Sequence, residues 1–282
     1  MKRLNHLWLD ICEGRSQELA WWNQKRSLYQ QRGYSVIQVR GSGELYRTVR
    51  SVVGAQYEYM LHMMIVLKKG DHIYIEEESE SFSFELNNGD IVNHRAIEKK
   101  QTYTSDFMNK VFERDISTDR AHRFIYDRQA AVKYAERWWN SYNPQYRTFD
   151  VDCTNYVSQC LYAGGAPMRG APNRAKGWWY QNDNWSFSWA VAHSLRWYLS
   201  GSTTGLKGAE VEQPSELMPG DVICYDFEGD GRWDHNTIVV AKDIDNMPLV
   251  NAHTNNSRMR YWSYEDSLAW TPECNYKFFR IG

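Results

Sequence analysis

"DVDCTNYVSQCLYAGGAP", residues 150–167, sets a cysteine between an extended segment and a helical pattern. After Cys153, the residues Val157, Cys160 and Leu161 recur at helical spacing, and Gly164, Gly165 and Pro167 stop the helix. Asp152 or Thr154 can cap its start. The spacing puts Cys153 in or beside the first helical turn. There the unsatisfied N–H groups and the helix dipole favour a thiolate. A lone cysteine is commonly just a small buried hydrophobe. Cys160, on the apolar face, fits that description. Cys153, beside Asp152, Thr154 and Asn155, fits it poorly.

A thiolate nucleophile needs a base, and the base needs an orienting group. Downstream, "LMPGDVICYDF" reads as a turn and a strand over 222–227, and "EGDGRWD" as a loop. "HNTIVVAKD" and "MPLVNAHTNN" are two strand-like runs joined by "DIDN", a hairpin signal. Folding that hairpin about residue 244 or 245 brings His235 opposite residues 253 to 255. His253 is then the natural partner of His235, with Asn255 and Asn251 as alternatives. A one-residue slip would turn these side chains to opposite faces. "DFEGDGRWD", 226–234, has the look of a short calcium loop but lacks the 12-residue frame and closing Glu of an EF-hand. It reads as an acidic turn that orients His235. "GSGELYR" is neither a P-loop nor a dinucleotide fingerprint. No metal or cofactor is expected.

The 282 residues suffice for one large domain or two modest ones, and 42% hydrophobic with 24% charged residues is ordinary for a globular chain. A net charge of −2 predicts no bulk attraction to nucleic acid or anionic lipid. No apolar run approaches the roughly 20 residues of a membrane span. Asp10 and Glu13 break the N-terminal apolar patch before a signal-peptide core of about 7–15 residues forms. The expectation is a cytoplasmic protein. The five cysteines, Cys12, Cys153, Cys160, Cys224 and Cys274, are widely spaced with no CxxC, which argues against a disulfide framework or a zinc site.

The 13 Trp and 19 Tyr suit a dense core or a groove that stacks sugars or peptides. They crowd "GWWYQNDNWSFSWAVAHSLRWYL", 177–199. Its "WWYQNDNW" part is too polar for core throughout and reads as a loop beside the site. Trp178, Trp179 and Trp185 are its candidate substrate contacts, with Asp152 and Asn155 beside the cysteine. Arg169 and Arg174 precede this loop and could meet an acidic substrate.

The first third carries no catalytic cluster. Residues 5–32 are helical, with Leu7, Ile11, Leu19, Trp22 and Leu28 roughly on one face, and Gly33 ends the pattern. From about 34 to 98, "YSVIQVR", "ELYRTVRSVV", "YEYMLHMMIVLKK", "HIYIEEE" and "SFSFEL" read as strands, with turns at "GSG" 41–43, "KKGD" 68–71 and "NNGD" 87–90. His62, His72 and His94 stand singly in strand contexts and are read as structural. Residues 99–126 read as a linker with some helix. "DRQAAVKYAERWWNSYN" restarts a helix, with Asp127 as N-cap, a face of Ala131, Tyr134, Ala135, Trp138 and Tyr142, and Pro144 closing it. The expected division is an N-terminal α+β unit over 1–120 and a second domain over 121–282.

Three segments, "DCTNYVSQCLYAGGAP", "PGDVICYDFEGDGRWDHNTIVV" and "VNAHT", together resemble the putative amidase domain of Gram-positive spore-forming bacteria, related to the NlpC/P60 and CHAP cysteine peptidases. The resemblance covers about residues 122–282. It implies an α+β, papain-like core: a nucleophile at a helix N-terminus packed on an antiparallel sheet, with the base on an adjacent strand. By motif it makes Cys153 the nucleophile and His235 the base. The third position falls on His253 by the hairpin reading. The relatives cleave amide bonds, often in peptidoglycan peptides, so the expected partner is a peptide or a peptidoglycan fragment. Without a secretion signal, a wall substrate would be met after cell lysis, as at the end of sporulation. The expected function is a cysteine amidase or peptidase. The other readings are a non-catalytic glycan- or peptide-binding module and acyl transfer by the same Cys–His site.

Overall fold

The structure, a computed structural model, describes residues 2–15, 20–51, 54–87, 89–97 and 124–282. The chain forms two compact units, Met1–Lys99 with Tyr264–Leu268 and Lys100–Ser263 with Ala269–Gly282. Both mix helices with antiparallel sheet, an α+β architecture. The expected boundary near 120, most of the expected 99–126 linker, and Leu19 lie outside the described residues.

In the first unit the helical stretch is two helices, α1 (Lys2–Cys12) and α2 (Ala20–Gln31). Their buried face carries Leu4, Ile11, Trp22 and Tyr29. Strands β1 (Ser35–Ser51), β2 (Gly54–Lys69), β3 (His72–Asn87) and β4 (Asp90–Ala96) form an antiparallel meander. The expected turn at "GSG" is absent. β1 runs straight through it, paired Gly41↔Met63, Ser42↔His62 and Gly43↔Leu61. A continuous ladder to β2 overrides the local turn preference of glycine, as pairing commonly overrides propensity in sheets. "HIYIEEE" and "SFSFEL" are likewise one strand. The turns at "KKGD" and "NNGD" stand where expected, closed by the pairs Lys69↔His72 and Asn87↔Asp90. One sheet face packs Tyr59, Leu61, Met63, Ile65, Leu67, Phe82 and Phe84 with the helices' buried residues.

The second unit begins with α3 (Arg128–Trp138), N-capped by Asp127, whose carboxylate accepts the Ala130 N–H at 2.9 Å. Helix α4 (Cys153–Ala163) ends at Gly164, with Gly165 at φ +88°. A short hairpin of β5 (Tyr180–Gln181) and β6 (Asn184–Trp185) turns on Asn182 and Asp183, both at positive φ. Helices α5 (Phe187–Ala190) and α6 (Ala192–Gly201) follow. The remaining strands are β7 (Gly208–Val211), β8 (Val222–Asp226), β9 (His235–Lys242), β10 (Pro248–Ala252), β11 (Ser257–Tyr261) and β12 (Asn275–Ile281). They lie side by side as β11-β10-β9-β8-β12-β7. Val222 and Cys224 of β8, Ile238 and Val240 of β9, and Phe279 and Ile281 of β12 share one core with Tyr156, Val157, Cys160 and Leu161 of α4 and Ala131 and Ala135 of α3. Strand alternation thus assigns the even-numbered residues of β8 and β9 to the helix-bearing face. Among the described residues no helix is long and apolar enough to cross a membrane.

Candidate active site

Cys153 opens α4, and its residue is 1% exposed. Asp152 occupies the N-cap position, but its carboxylate does not cap the helix. Oδ1 instead accepts from the Phe149 N–H at 3.0 Å and the Asn155 side-chain amide at 2.9 Å. Oδ2 faces Nδ1 of His253 at 2.8 Å. Thr154 donates its hydroxyl to Oδ1 of Asn236 at 2.8 Å. The helix entrance is therefore tied to β9 through Thr154 and to the turn after β10 through Asp152.

The sulfur of Cys153 is met by the backbone N–H of Asn236 and by the hydroxyls of Thr154 and Thr254. Burial, the largest influence, pushes the thiol up, and the Asp152 charge adds to that. Hydrogen bonds from the Asn236 N–H and, when they donate to it, from the Thr154 and Thr254 hydroxyls pull it down without reversing the sense. The expected helix-terminus thiolate is corrected here. Desolvation disfavours the anion at this buried position, and a thiol raised above its ordinary value stays protonated at neutral pH.

His235 is the first residue of β9, paired with Tyr225 of β8. Its ring lies 5.6 Å from that of Tyr225 and stacks 6.0 Å from Phe227. Burial, and then the Arg260 guanidinium, pushes its imidazole down to about 3, so it is neutral at pH 7. Alternation along β9 puts His235 on the face of Tyr225 and Thr237, whose hydroxyls are 3.1 Å apart, and Asn236 on the face of α4. Asn236 is the residue that sequence reasoning missed. It follows the histidine directly, and polar strand residues carry little signal by themselves.

The β9–β10 ladder pairs Val250↔Val239 and Asn251↔Ile238, the register expected from a hairpin folded about 244 or 245. Asp243 builds that turn by accepting the N–H groups of Asp245 and Met247. β10 ends at Ala252, and His253 begins the turn into β11. Its Nδ1 meets Asp152 and its Nε2–H donates to the Trp138 carbonyl at 2.8 Å, while Tyr156 stacks on the ring at 4.1 Å. Both nitrogens are thus engaged by acceptors, leaving neither for the orienting bond to His235 expected from the sequence. The register is right, but the offset of one residue puts the two rings on opposite faces. Asn251 is also committed, donating to Glu136 and accepting the Met259 N–H. Asn255, in the same turn, is half-buried.

The expected substrate contacts divide. Trp178 and Trp179 are buried, with Nε1 of Trp178 donating to Ser158 and that of Trp179 to the Asn173 and Lys176 carbonyls. Asn155 is buried as well, accepting from Trp189 Nε1 at 2.8 Å. These residues and Asp152 build the walls of the site; they are too enclosed to offer a ligand surface. Trp185 alone is half-exposed. It packs edge-on against Phe149, and the Arg147 and Arg174 guanidiniums lie 5.4 and 4.8 Å from its ring. In the 226–234 loop, carboxylates of Asp226, Glu228 and Asp234 converge. Asp226 accepts the N–H groups of Asp230 and Gly231, and Asp234 that of Phe227. Burial, helped by Glu228 and Asp226, pushes the Asp234 carboxyl up to about 7.

A protein family described as "Putative amidase domain" matches residues 125–279. The chain is 47% identical over 277 residues to "Uncharacterized protein YhbB" of Bacillus subtilis (strain 168), across 95% of this chain and 88% of that protein. It is 35% identical over 141 residues to "Uncharacterized protein YjcM" of the same organism, across 46% of this chain and 31% of that protein. No solved structure matches the chain.

Proposed function

The chain belongs to the "Putative amidase domain" family, and from that premise we propose that it hydrolyses amide bonds with Cys153 as nucleophile and His235 as base. The observation that carries this reading is the seat of Cys153. It opens a helix whose entrance is hydrogen-bonded to β9 at Asn236, the residue next to His235. A papain-like core of the NlpC/P60 and CHAP kind is part of the proposal, supported by a helix N-terminus packed on an antiparallel sheet.

In the resting site both partners are neutral, a thiol and an imidazole. Attack is then general-base catalysed. As sulfur bonds to the substrate carbonyl carbon, the thiol proton passes to His235. The resulting imidazolium returns that proton to the amine as the C–N bond breaks, leaving a thioester. Water, deprotonated by His235, attacks the thioester and releases the acid and the thiol. Backbone N–H groups at the helix start are the donors for the oxyanion. Peptidoglycan stem peptides are the substrate class that the resemblance implies. The burial of Trp178 and Trp179 takes support from a binding module built on a tryptophan face.

The test is release of free amine from muropeptides by wild type, Cys153→Ala and His235→Gln. The proposal expects turnover by wild type and at least a thousandfold loss in both variants. Undiminished turnover by Cys153→Ala would overturn it.

A further inference from the structure

Four buried groups run in a line that starts at the reactive sulfur. Cys153 Sγ lies 3.7 Å from Thr154 Oγ1. Thr154 Oγ1 donates to Asn236 Oδ1 at 2.8 Å, and Asn236 Nδ2 donates to Cys224 Sγ at 3.0 Å. None of the four residues is more than 1% exposed, so each hydrogen-bonding atom must be matched within the protein.

The direction of this chain follows from counting protons. A hydroxyl has one proton, and an amide oxygen can only accept. Thr154 gives its proton to Asn236, so toward Cys153 it offers only a lone pair. The contact between Cys153 and Thr154 is satisfied when Cys153 donates its S–H. As it stands, the line holds a thiol, and an anionic sulfur would face an oxygen lone pair. Every member can, however, both donate and accept. If the Asn236 amide turns over, a change that preserves its shape, Nδ2 donates to Thr154 and Oδ1 accepts from Cys224 S–H. Thr154 then gives its proton to the Cys153 sulfur. Cys224 retains its proton for this purpose because burial pushes its thiol far up. The reversal moves no proton between residues. The only proton to leave is that of Cys153, taken by the base.

We propose that Cys224–Asn236–Thr154–Cys153 is a reversible hydrogen-bond chain that holds Cys153 as a thiol at rest and, by turning over at Asn236, stabilises it as a thiolate during reaction. Thr154 and Asn236 are positioning residues for the nucleophile. This deepens the reading of Cys153 as nucleophile and rests on it.

The experiment is the pH dependence of Cys153 alkylation by iodoacetamide, resolved by mass spectrometry, in wild type, Thr154→Val, Thr154→Ser and Asn236→Leu. It reads the sulfur without a substrate, so it can fail while amide hydrolysis by wild type stands, and the reverse. Thr154→Val removes the chain's donor to the sulfur and should slow alkylation about tenfold at fixed pH below the plateau, moving the profile to higher pH, the loss of one hydrogen bond to a charged group. Thr154→Ser should restore the wild-type profile. Asn236→Leu releases the Thr154 proton to the sulfur and should move the profile the other way, to lower pH. A role in packing alone would move Val and Leu variants in the same direction. The proposal is overturned if Thr154→Val superimposes on wild type, or if Asn236→Leu shifts in the same direction as Thr154→Val. Should Asn236→Leu fail to fold, the near-isosteric Val and Ser variants of Thr154 decide the matter between them.

Discussion

Each of the two units buries a polar cluster, and the two are built on opposite plans. In the first, the Lys25 ammonium lies 2.6 Å from Glu76, 2.7 Å from Glu78 and 2.7 Å from Asp266, and Tyr29 donates to Glu76 at 2.9 Å. Lys25, Glu76 and Glu78 are almost wholly buried. In the second unit, the line from Cys153 to Cys224 is also buried, but every member is neutral. An ammonium can only donate and a carboxylate can only accept, so the ionic cluster has one arrangement. Hydroxyl, thiol and amide do both, so the neutral line has two. The ionic cluster can fix a structure. The neutral one can serve a reaction in which a charge appears and disappears.

The largest expected effect tests the ionic side. Burial alone would depress the Lys25 ammonium, but Asp266, Glu76 and Glu78 outweigh it and hold it well up. Lys25→Met leaves three enclosed carboxylates without their cation and should cost about 3–5 kcal/mol, the usual price of breaking a buried pair. Urea unfolding measures this, and a cost below about 1 kcal/mol would mean the cluster does not hold the first unit together.

Next in size is His253→Ala, which strips Asp152 of one partner and the α3 C-terminus of another. A buried carboxylate losing a hydrogen bond costs about 2–3 kcal/mol. Because Asp152 precedes Cys153, the same variant should also loosen the helix entrance and speed alkylation of Cys153. Lost stability with unchanged Cys153 reactivity would separate the clamp from the site.

The third effect is a pH dependence. His235 is held neutral in the fold down to about 3, whereas the unfolded chain takes up its proton near 6.5. Below 6.5 the unfolded state therefore binds more protons, and stability falls as pH drops from about 6.5 toward 3. His235→Gln should flatten that part of the curve in thermal melts taken at stepped pH. A wild-type slope that persists unchanged in the variant would place the titrating group elsewhere, with His94, lowered by burial to about 4, the first to examine.

The last contrast lies among the tryptophans. Trp178→Ala empties a core position and should cost about 3–5 kcal/mol. Trp185→Ala removes a half-exposed ring under two guanidiniums and should cost about 1 kcal/mol. If muropeptide KM rises in Trp185→Ala while kcat holds, the exposed ring is a substrate contact.

What could be read in advance follows the range of the interaction responsible. Local chemistry was legible: the Asp127 cap, the glycine stop after α4, the hairpin turn at "DIDN" and the register it imposes. Long-range chemistry was not. "GSG" looks like a turn until β2 pairs across it. Trp178 and Trp179 look solvated because of the polar residues after them, yet Ser158 and two loop carbonyls receive their N–H groups inside the core. The hairpin register correctly brought the turn at 253–255 toward the start of β9. It could not show that Asp152 would turn from its own helix to bind His253. Nor could a lysine in a helical repeat announce three carboxylates, one of them 241 residues away.

The most direct test of the account is the pH profile of Cys153 alkylation in the unmodified protein. A neutral thiol at Cys153 predicts reactivity that is low through pH 5–7 and rises only above the ordinary thiol value of about 8.5. A plateau of fast alkylation already present at pH 5–6 would show a standing thiolate–imidazolium pair. It would contradict both the resting state described for Cys153 and the hydrogen-bond chain assigned to hold it.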